Sequence, residues 1–141
     1  MNADKARTKV SLRTLFGKRR KGEMITMLTC YDYPTACFME EAGLDILLVG
    51  DSLGMTILGY DTTLPVTMDI MIAHAQAVRR GSPSAWLVGD MPYMTYQPSV
   101  EDAIRNAASA INRPALRIAS SWRAGAPLPT GWKRVSRWAF R

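Results

Sequence analysis

Two stretches of this chain, residues 45–50 (DILLVG) and 85–89 (AWLVG), are short, nearly continuous apolar runs, and each leads through a glycine into an aspartate, at Asp51 and Asp90. Runs of this length and character suit strands buried on both faces, as in a parallel sheet covered by helices. A third run, residues 24–30 (MITMLTC), follows the turn residues Lys21-Gly22 and suggests a buried strand, although periodicity alone leaves a helix open there. Helical signals separate the runs. Pro34 suits the first turn of a helix that ends at Gly43. Thr67 is placed to cap a helix through MDIMIAHAQAVRR, with Asp69 in its first turn, Arg79 and Arg80 in its last, and Gly81 placed to stop it. Ser99-Val100-Glu101-Asp102 reads as a capping-box-like start for a helix through AIRNAASAI. Ahead of all these, Val10, Leu12, Leu15 and Phe16 give a short amphipathic helix running into Lys18-Arg19-Arg20-Lys21, which reads as a solvated helix end rather than a nucleic-acid contact.

The order is a helix, then strand–helix three times, which places the chain in the α/β class with a parallel sheet. A (βα)8 barrel and an open doubly wound sheet both fit. No G-x-G-x-x-G follows the first strand, so dinucleotide binding has little support. The chain is 48% hydrophobic and 21% charged, as a globular domain is. No apolar run reaches the roughly 18 residues a membrane helix needs, and the basic start lacks the apolar stretch of a secretory signal, so the expectation is a cytoplasmic protein without membrane contact. Cys30 and Cys37, spaced C-x6-C, match no common zinc or redox pattern and read as reduced thiols.

The net charge of +6 conceals a division. Residues 1–102 hold 10 Lys and Arg against 12 Asp and Glu, a net −2, whereas residues 103–141 hold eight bases and no acid. The segment after Ala108 also has three of the four tryptophans and none of the nine methionines. Pro114, Pro127 and Pro129 interrupt any long helix there, and no fourth strand–helix unit is evident. The expected division is therefore 1–108, carrying the βα units, and 109–141, a basic and irregular tail.

Asp51 and Asp90 follow strand ends, where ligands bind in barrels and open sheets alike. Two carboxylates facing one crevice can hold a hard divalent cation such as Mg²⁺, and such a cation polarises a carbonyl. Each aspartate alone is equally well explained as a cap for the loop or helix after it. Ser52 can donate to a substrate carboxylate or satisfy a turn. Asp32, in Tyr31-Asp32-Tyr33, reads first as a helix cap. His74, the single histidine, lies mid-helix and reads as a packing or surface residue. Without a Cys–His or Ser–His pairing, nucleophilic catalysis has no support.

The stretches LTCYDYPTA, ILLVGDSLGMTILGYDTTLPVT, HAQAVRRG and LVGDMPYMTY strongly resemble the ketopantoate hydroxymethyltransferase family, over roughly residues 10–108. The resemblance implies a (βα)8 barrel of the phosphoenolpyruvate/pyruvate superfamily, present here as its first three βα units. It implies cytoplasmic homo-oligomers, commonly decamers, in the pathway to pantothenate. It implies transfer of a hydroxymethyl group from 5,10-methylenetetrahydrofolate to 3-methyl-2-oxobutanoate, giving 2-dehydropantoate. On this resemblance Asp51 and Asp90 are Mg²⁺ ligands, and Asp51, Ser52 and Asp90 bind the 2-oxo acid.

The family's third acidic metal-site residue, its substrate-binding lysine and its catalytic glutamate lie further along and have no matching position here, so no catalytic residue is assigned. A chain ending after three units also leaves an unpaired apolar edge on its last strand. The alternative to an active enzyme is thus a catalytically inactive truncated or frameshifted form of it, since loss of every acid with gain of Arg, Ala, Ser, Pro and Trp is what an out-of-frame reading of a GC-rich gene produces. Two further alternatives are weaker: nucleic-acid binding by the basic tail, and a neighbouring carbon–carbon lyase of the same superfamily.

Overall fold

A computed structural model describes residues 7–112, and the side chains of 7–109. Within that range the chain is mixed α/β, built on a three-stranded parallel sheet in the order β1-β2-β3. The elements are α1 (Leu12–Lys21), β1 (Met27–Thr29), α2 (Tyr33–Glu41), β2 (Ile46–Val49), α3 (Leu53–Thr56), α4 (Met68–Gly81), β3 (Trp86–Gly89) and α5 (Val100–Asn112). The register aligns Met27, Ile46 and Trp86 across the sheet, then Leu28, Leu47 and Leu87, then Thr29, Leu48 and Val88. Strand ends therefore coincide, and whatever follows Thr29, Val49 and Gly89 emerges at one edge.

Side-chain alternation sorts the strands between two cores. Leu47, Val49 and Leu87 pack with Ala36 of α2, Leu53 of α3, and Met71, Ala75 and Val78 of α4. Trp86, Val88, Ile46 and Leu48 point the other way, onto Val10, Leu12 and Leu15 at the start of α1. Full burial of side chains such as Leu47, Leu53, Leu87, Val49 and Val78 contributes about 1.5–3 kcal/mol each.

The helix starts follow the sequence. Ser11 and Thr14 form a capping box on α1, and Asp32 and Thr67 cap α2 and α4 by accepting from Thr35 and Ile70 N–H groups. Ser99 Oγ accepts from Asp102 N at 3.0 Å at the head of α5. No helix among the described residues is long and apolar enough to cross a membrane.

Several local expectations change. β1 is a strand, but Met27 and Leu28 are about half exposed, because the two cores draw on β2 and β3 and neither includes a residue of β1. β3 keeps its outer edge unpaired among the described residues, as expected, but all its residues are buried, since α4 covers one face and the α1 region the other. The segment after β2 carries an element of its own: Leu53–Thr56 forms the short helix α3, whose Leu53 fills the core. Gly81 does not stop α4 but is its last residue. A Cβ there would lie 2.5 Å from Tyr33 O and 2.8 Å from Ala36 Cβ, so glycine permits α4 to pack onto the first turn of α2. Lys18 departs from the solvated cluster. Its Nζ donates to both oxygens of the buried Asp45 at 2.6 and 2.8 Å, tying α1 to the start of β2. The expectation for 109–141 lies, from residue 113 on, outside the described residues.

Candidate functional site

The aligned strand ends bring three segments to one edge: Cys30-Tyr31-Asp32 after β1, Gly50-Asp51-Ser52 after β2 and Asp90 after β3. Backbone bonds continue the ladder into this edge, with Cys30 N donating to Leu48 O at 2.9 Å and Asp90 N to Val49 O at 3.0 Å. The pairing carries the Asp90 side chain beside the turn at Gly50, where Asp90 Oδ2 accepts from the Asp51 N–H at 3.2 Å. On the other flank Tyr31 crosses to the same turn, and its hydroxyl lies 2.7 Å from Ser52 Oγ.

Gly50 is the floor of this arrangement. A Cβ built on it would stand 3.0 Å from Ser52 Oγ, 3.3 Å from Asp90 Oδ2 and 3.8 Å from the Tyr31 hydroxyl. Three polar groups from three strand ends thus converge over a residue without a side chain. The structure brings Asp90 and Ser52 together around Gly50, with Asp51 in the turn between, as their positions after strand ends suggest.

Asp90 Oδ1, like Arg7 Nη1 beside Asp45, is an unusual atom. It is buried and has no hydrogen-bond partner among the described residues, whereas buried polar atoms are nearly always paired. Leaving such an acceptor unsatisfied costs about 1–3 kcal/mol, more when it is charged. Water or a ligand relieves that cost by supplying the partner. Among the described residues no group of three or more His, Cys, Asp and Glu gathers to hold a metal. The oxygens placed at this edge are those of the Asp90 carboxylate and the Tyr31 and Ser52 hydroxyls, with Asp51 in the adjoining turn; such hard oxygens suit a cation that keeps several waters or ligand oxygens in its shell.

Other candidates take the roles their positions favour. Asp32 caps α2, with Oδ1 accepting from Thr35 N at 2.8 Å and Oδ2 from Thr35 Oγ1 at 2.9 Å. Cys30 and Cys37 are free thiols. Burial is the main cause that pushes the Cys30 thiol up, aided by the Asp32 charge against a lowering bond to the Asp32 backbone, which keeps it protonated and unreactive. His74 is more than a packing residue: its Nδ1 lies 2.6 Å from Tyr31 O. Tyr31 and His74 therefore touch the site's framework although sequence reasoning gave neither a part in it. The available signal was position, since Tyr31 leaves β1 at the edge where Asp51 and Asp90 leave their strands.

The family model described as ketopantoate hydroxymethyltransferase matches residues 9–119. The chain is 54% identical over 99 residues to the 3-methyl-2-oxobutanoate hydroxymethyltransferase of Alkaliphilus metalliredigens, an alignment covering 70% of this chain and 35% of that protein. To the protein of the same name from Caldicellulosiruptor bescii it is 51% identical over 110 residues, covering 78% and 42%. To that from Listeria monocytogenes serotype 4a it is 56% identical over 96 residues, covering 68% and 35%. The chain thus spans between 35% and 42% of the length of these curated relatives.

Proposed function

The chain belongs to the ketopantoate hydroxymethyltransferase family, and from that premise we propose that its strand-end site binds 3-methyl-2-oxobutanoate with Mg²⁺, for hydroxymethyl transfer from 5,10-methylenetetrahydrofolate to give 2-dehydropantoate. The three βα units then correspond to the first three of a (βα)8 barrel of the phosphoenolpyruvate/pyruvate superfamily, whose ligands enter at the C-terminal ends of the strands. The observation that carries the reading is the buried, unpartnered Asp90 Oδ1, set beside Gly50 and Ser52 at that edge.

In this reading Asp51 and Asp90 hold the cation. Mg²⁺ is commonly bound by one or two carboxylates, with waters and substrate oxygens completing the shell, and two aspartates that follow neighbouring strand ends support the reading. When bound, the cation polarises the ketone of the 2-oxo acid and stabilises negative charge as it develops on that oxygen. The chain's own residues bind and orient. Ser52 Oγ donates to the substrate carboxylate, Gly50 lets the acid approach the backbone, and the bond from Asp51 N–H fixes the Asp90 carboxylate so that Oδ1 faces the ligand. The C3 proton is removed by a base that no residue of this chain is assigned to provide, so binding and turnover are separate claims for it.

Calorimetric titration of the 141-residue chain with 3-methyl-2-oxobutanoate tests the binding claim. Binding is expected with Mg²⁺ present and lost on chelation with EDTA. Absence of binding at millimolar acid and Mg²⁺ removes the proposal. An assay for 2-dehydropantoate formation with 5,10-methylenetetrahydrofolate tests turnover: turnover at an ordinary enzyme rate excludes the inactive alternative, and binding without turnover supports it.

A further inference from the structure

The site rests on a hydrogen-bonded chain that begins outside it, on α4. His74 Nδ1 lies 2.6 Å from the Tyr31 carbonyl oxygen, and the Tyr31 hydroxyl lies 2.7 Å from Ser52 Oγ. A carbonyl oxygen only accepts, so His74 Nδ1 carries the proton in that bond. We infer that His74 is a positioning residue for the 2-oxo acid site, holding the Tyr31 peptide so that the phenol donates to Ser52 Oγ and leaves the serine proton for the carboxylate of the bound acid. The inference rests on the function proposed above, and adds to it a residue on the helix layer and a direction for the hydrogen bonds.

The Tyr31 backbone is held from several sides. Cys30 N donates to Leu48 O at 2.9 Å, which binds the strand side. The Asp32 carboxylate is committed to Thr35 at the head of α2. Between these two attachments lies the Tyr31 carbonyl, and its side-chain partner is His74. The phenol oxygen stands at the far end of a long side chain, so a small turn of that peptide moves it beyond the narrow distance and angle range of a hydrogen bond.

Direction follows from donor and acceptor inventory. Tyr31 and Ser52 each have one hydroxyl proton, and without a ligand either can donate to the other. An ionised carboxylate only accepts. Its arrival commits the Ser52 proton to the ligand, and Tyr31 must then donate to Ser52. A chain of donors running one way strengthens each link, and a bond to a charged acceptor is stronger than a neutral one. Phenol and serine together thus act as a directed donor toward an anion, with His74 fixing where the phenol stands.

Because His74 is the single histidine, a chain labelled with ¹⁵N-histidine reports on this ring alone. A long-range ¹⁵N–¹H spectrum of the ligand-free chain at pH 8 is expected to show Nδ1 protonated, and Nδ1 without a proton overturns the inference. Two variants then separate positioning from bulk stability. His74→Asn keeps an N–H near the place of Nδ1, whereas His74→Leu removes it. His74→Leu is expected to shift the Tyr31 ring and Ser52 β resonances and to raise the Kd for 3-methyl-2-oxobutanoate about ten-fold in Mg²⁺. His74→Asn is expected to restore both to within about two-fold of the parent chain. Tyr31→Phe should match the Kd loss of His74→Leu. Ser52 resonances unmoved in His74→Leu, or equal Kd for both His74 variants despite differing thermal stability, overturn the positioning role. If the unaltered chain does not bind the acid, the proposed function fails, and the tautomer and the Ser52 resonances still decide whether His74 sets Ser52.

Discussion

The two ends of the sheet each carry a low-exposure aspartate environment, and the two are finished differently. At the N-terminal end, Asp45 is 2% exposed and fully engaged: Lys18 Nζ reaches both oxygens, and Thr26 N and Oγ1 donate to Oδ2 at 3.0 and 3.2 Å. At the C-terminal end, Asp90 has one oxygen bonded to the Asp51 N–H and the other buried without a partner among the described residues. Satisfaction of the Asp45 carboxylate fixes α1, β1 and β2 to one another and leaves that carboxylate no capacity for a ligand, although Arg7 Nη1 beside it is buried without a partner among the described residues. Incomplete satisfaction carries a free-energy cost that a ligand can relieve. The difference separates an aspartate that serves folding from one that serves binding, although both flank parallel strands.

The largest expected effect breaks the satisfied end. Asp45→Asn leaves the Lys18 ammonium facing a neutral amide in a largely buried place. Removing one partner of a buried pair is strongly destabilising, and about 3 kcal/mol is expected, at the low end because Lys18 keeps part of its side chain in water. A urea titration of the parent and variant chains measures it, and a loss below about 1 kcal/mol would assign the pair no more than a surface bridge's weight. Its pH dependence has a definite sign. Burial opposes ionisation of Asp45, but the bonds from Lys18 and Thr26 and the Lys18 charge outweigh it and hold the carboxyl below its ordinary value. Stability from this group is therefore present above the unfolded-state pKa of about 3.9 and is lost as pH falls through the lower folded value. Glu40 behaves likewise: burial opposes its ionisation, and the bonds from Ser82, Ser84 and Ala85 outweigh that. Urea midpoints measured from pH 5 downward should fall below about pH 4, and Asp45→Asn should flatten that fall without abolishing it.

A smaller loss, about 2 kcal/mol, is expected from Gly81→Ala. The new Cβ meets the Tyr33 carbonyl at 2.5 Å, and backbone yields less readily than a flexible side-chain end. Thermal unfolding gives the magnitude, and an unchanged Tm would show that α4 has room to withdraw from α2. Because His74 lies on α4, the same variant should also weaken binding of the 2-oxo acid. That outcome sharpens the comparison by showing that the open end depends on the helix layer as well as on its own strands.

How much of this was legible in the sequence depended on whether the deciding contact was local. The caps at Asp32, Thr67 and Ser99 depend on residues three positions away, and the order of strands and helices follows from runs and breaks along the chain. Asp51, Ser52 and Asp90 were visible because strand ends in a parallel sheet share an edge. Contacts across long separations were not. Lys18 reads as part of a basic cluster until β2 brings Asp45 to it, 27 residues on. Gly81 reads as a helix stop until α2 packs against it. His74 shows no pattern that leads to Tyr31, 43 residues away, and the exposure of β1 depends on which strands the packed layers on each face cover.

The smallest effects on stability fall at the open end, where the effects on binding are largest. Asp90→Asn replaces a half-buried carboxylate, one of whose oxygens is buried without a partner among the described residues, with a neutral amide and keeps an oxygen for the Asp51 N–H. Urea titration should show stability unchanged or raised by about 1 kcal/mol, opposite in sign to Asp45→Asn, while Mg²⁺-dependent binding of 3-methyl-2-oxobutanoate disappears. Gly50→Ala tests the floor without altering any charge. Its Cβ would meet Ser52 Oγ at 3.0 Å and Asp90 Oδ2 at 3.3 Å, and both are side-chain ends that can shift by a few tenths of an ångström. The folded state should lose about 1 kcal/mol or less. The methyl group, however, occupies the space over which the polar groups converge, and at least a ten-fold rise in Kd is expected by calorimetry. Binding retained in Gly50→Ala would mean the acid approaches from elsewhere. A large loss of stability in Asp90→Asn would mean that Asp90, like Asp45, is a structural residue and the two ends are alike.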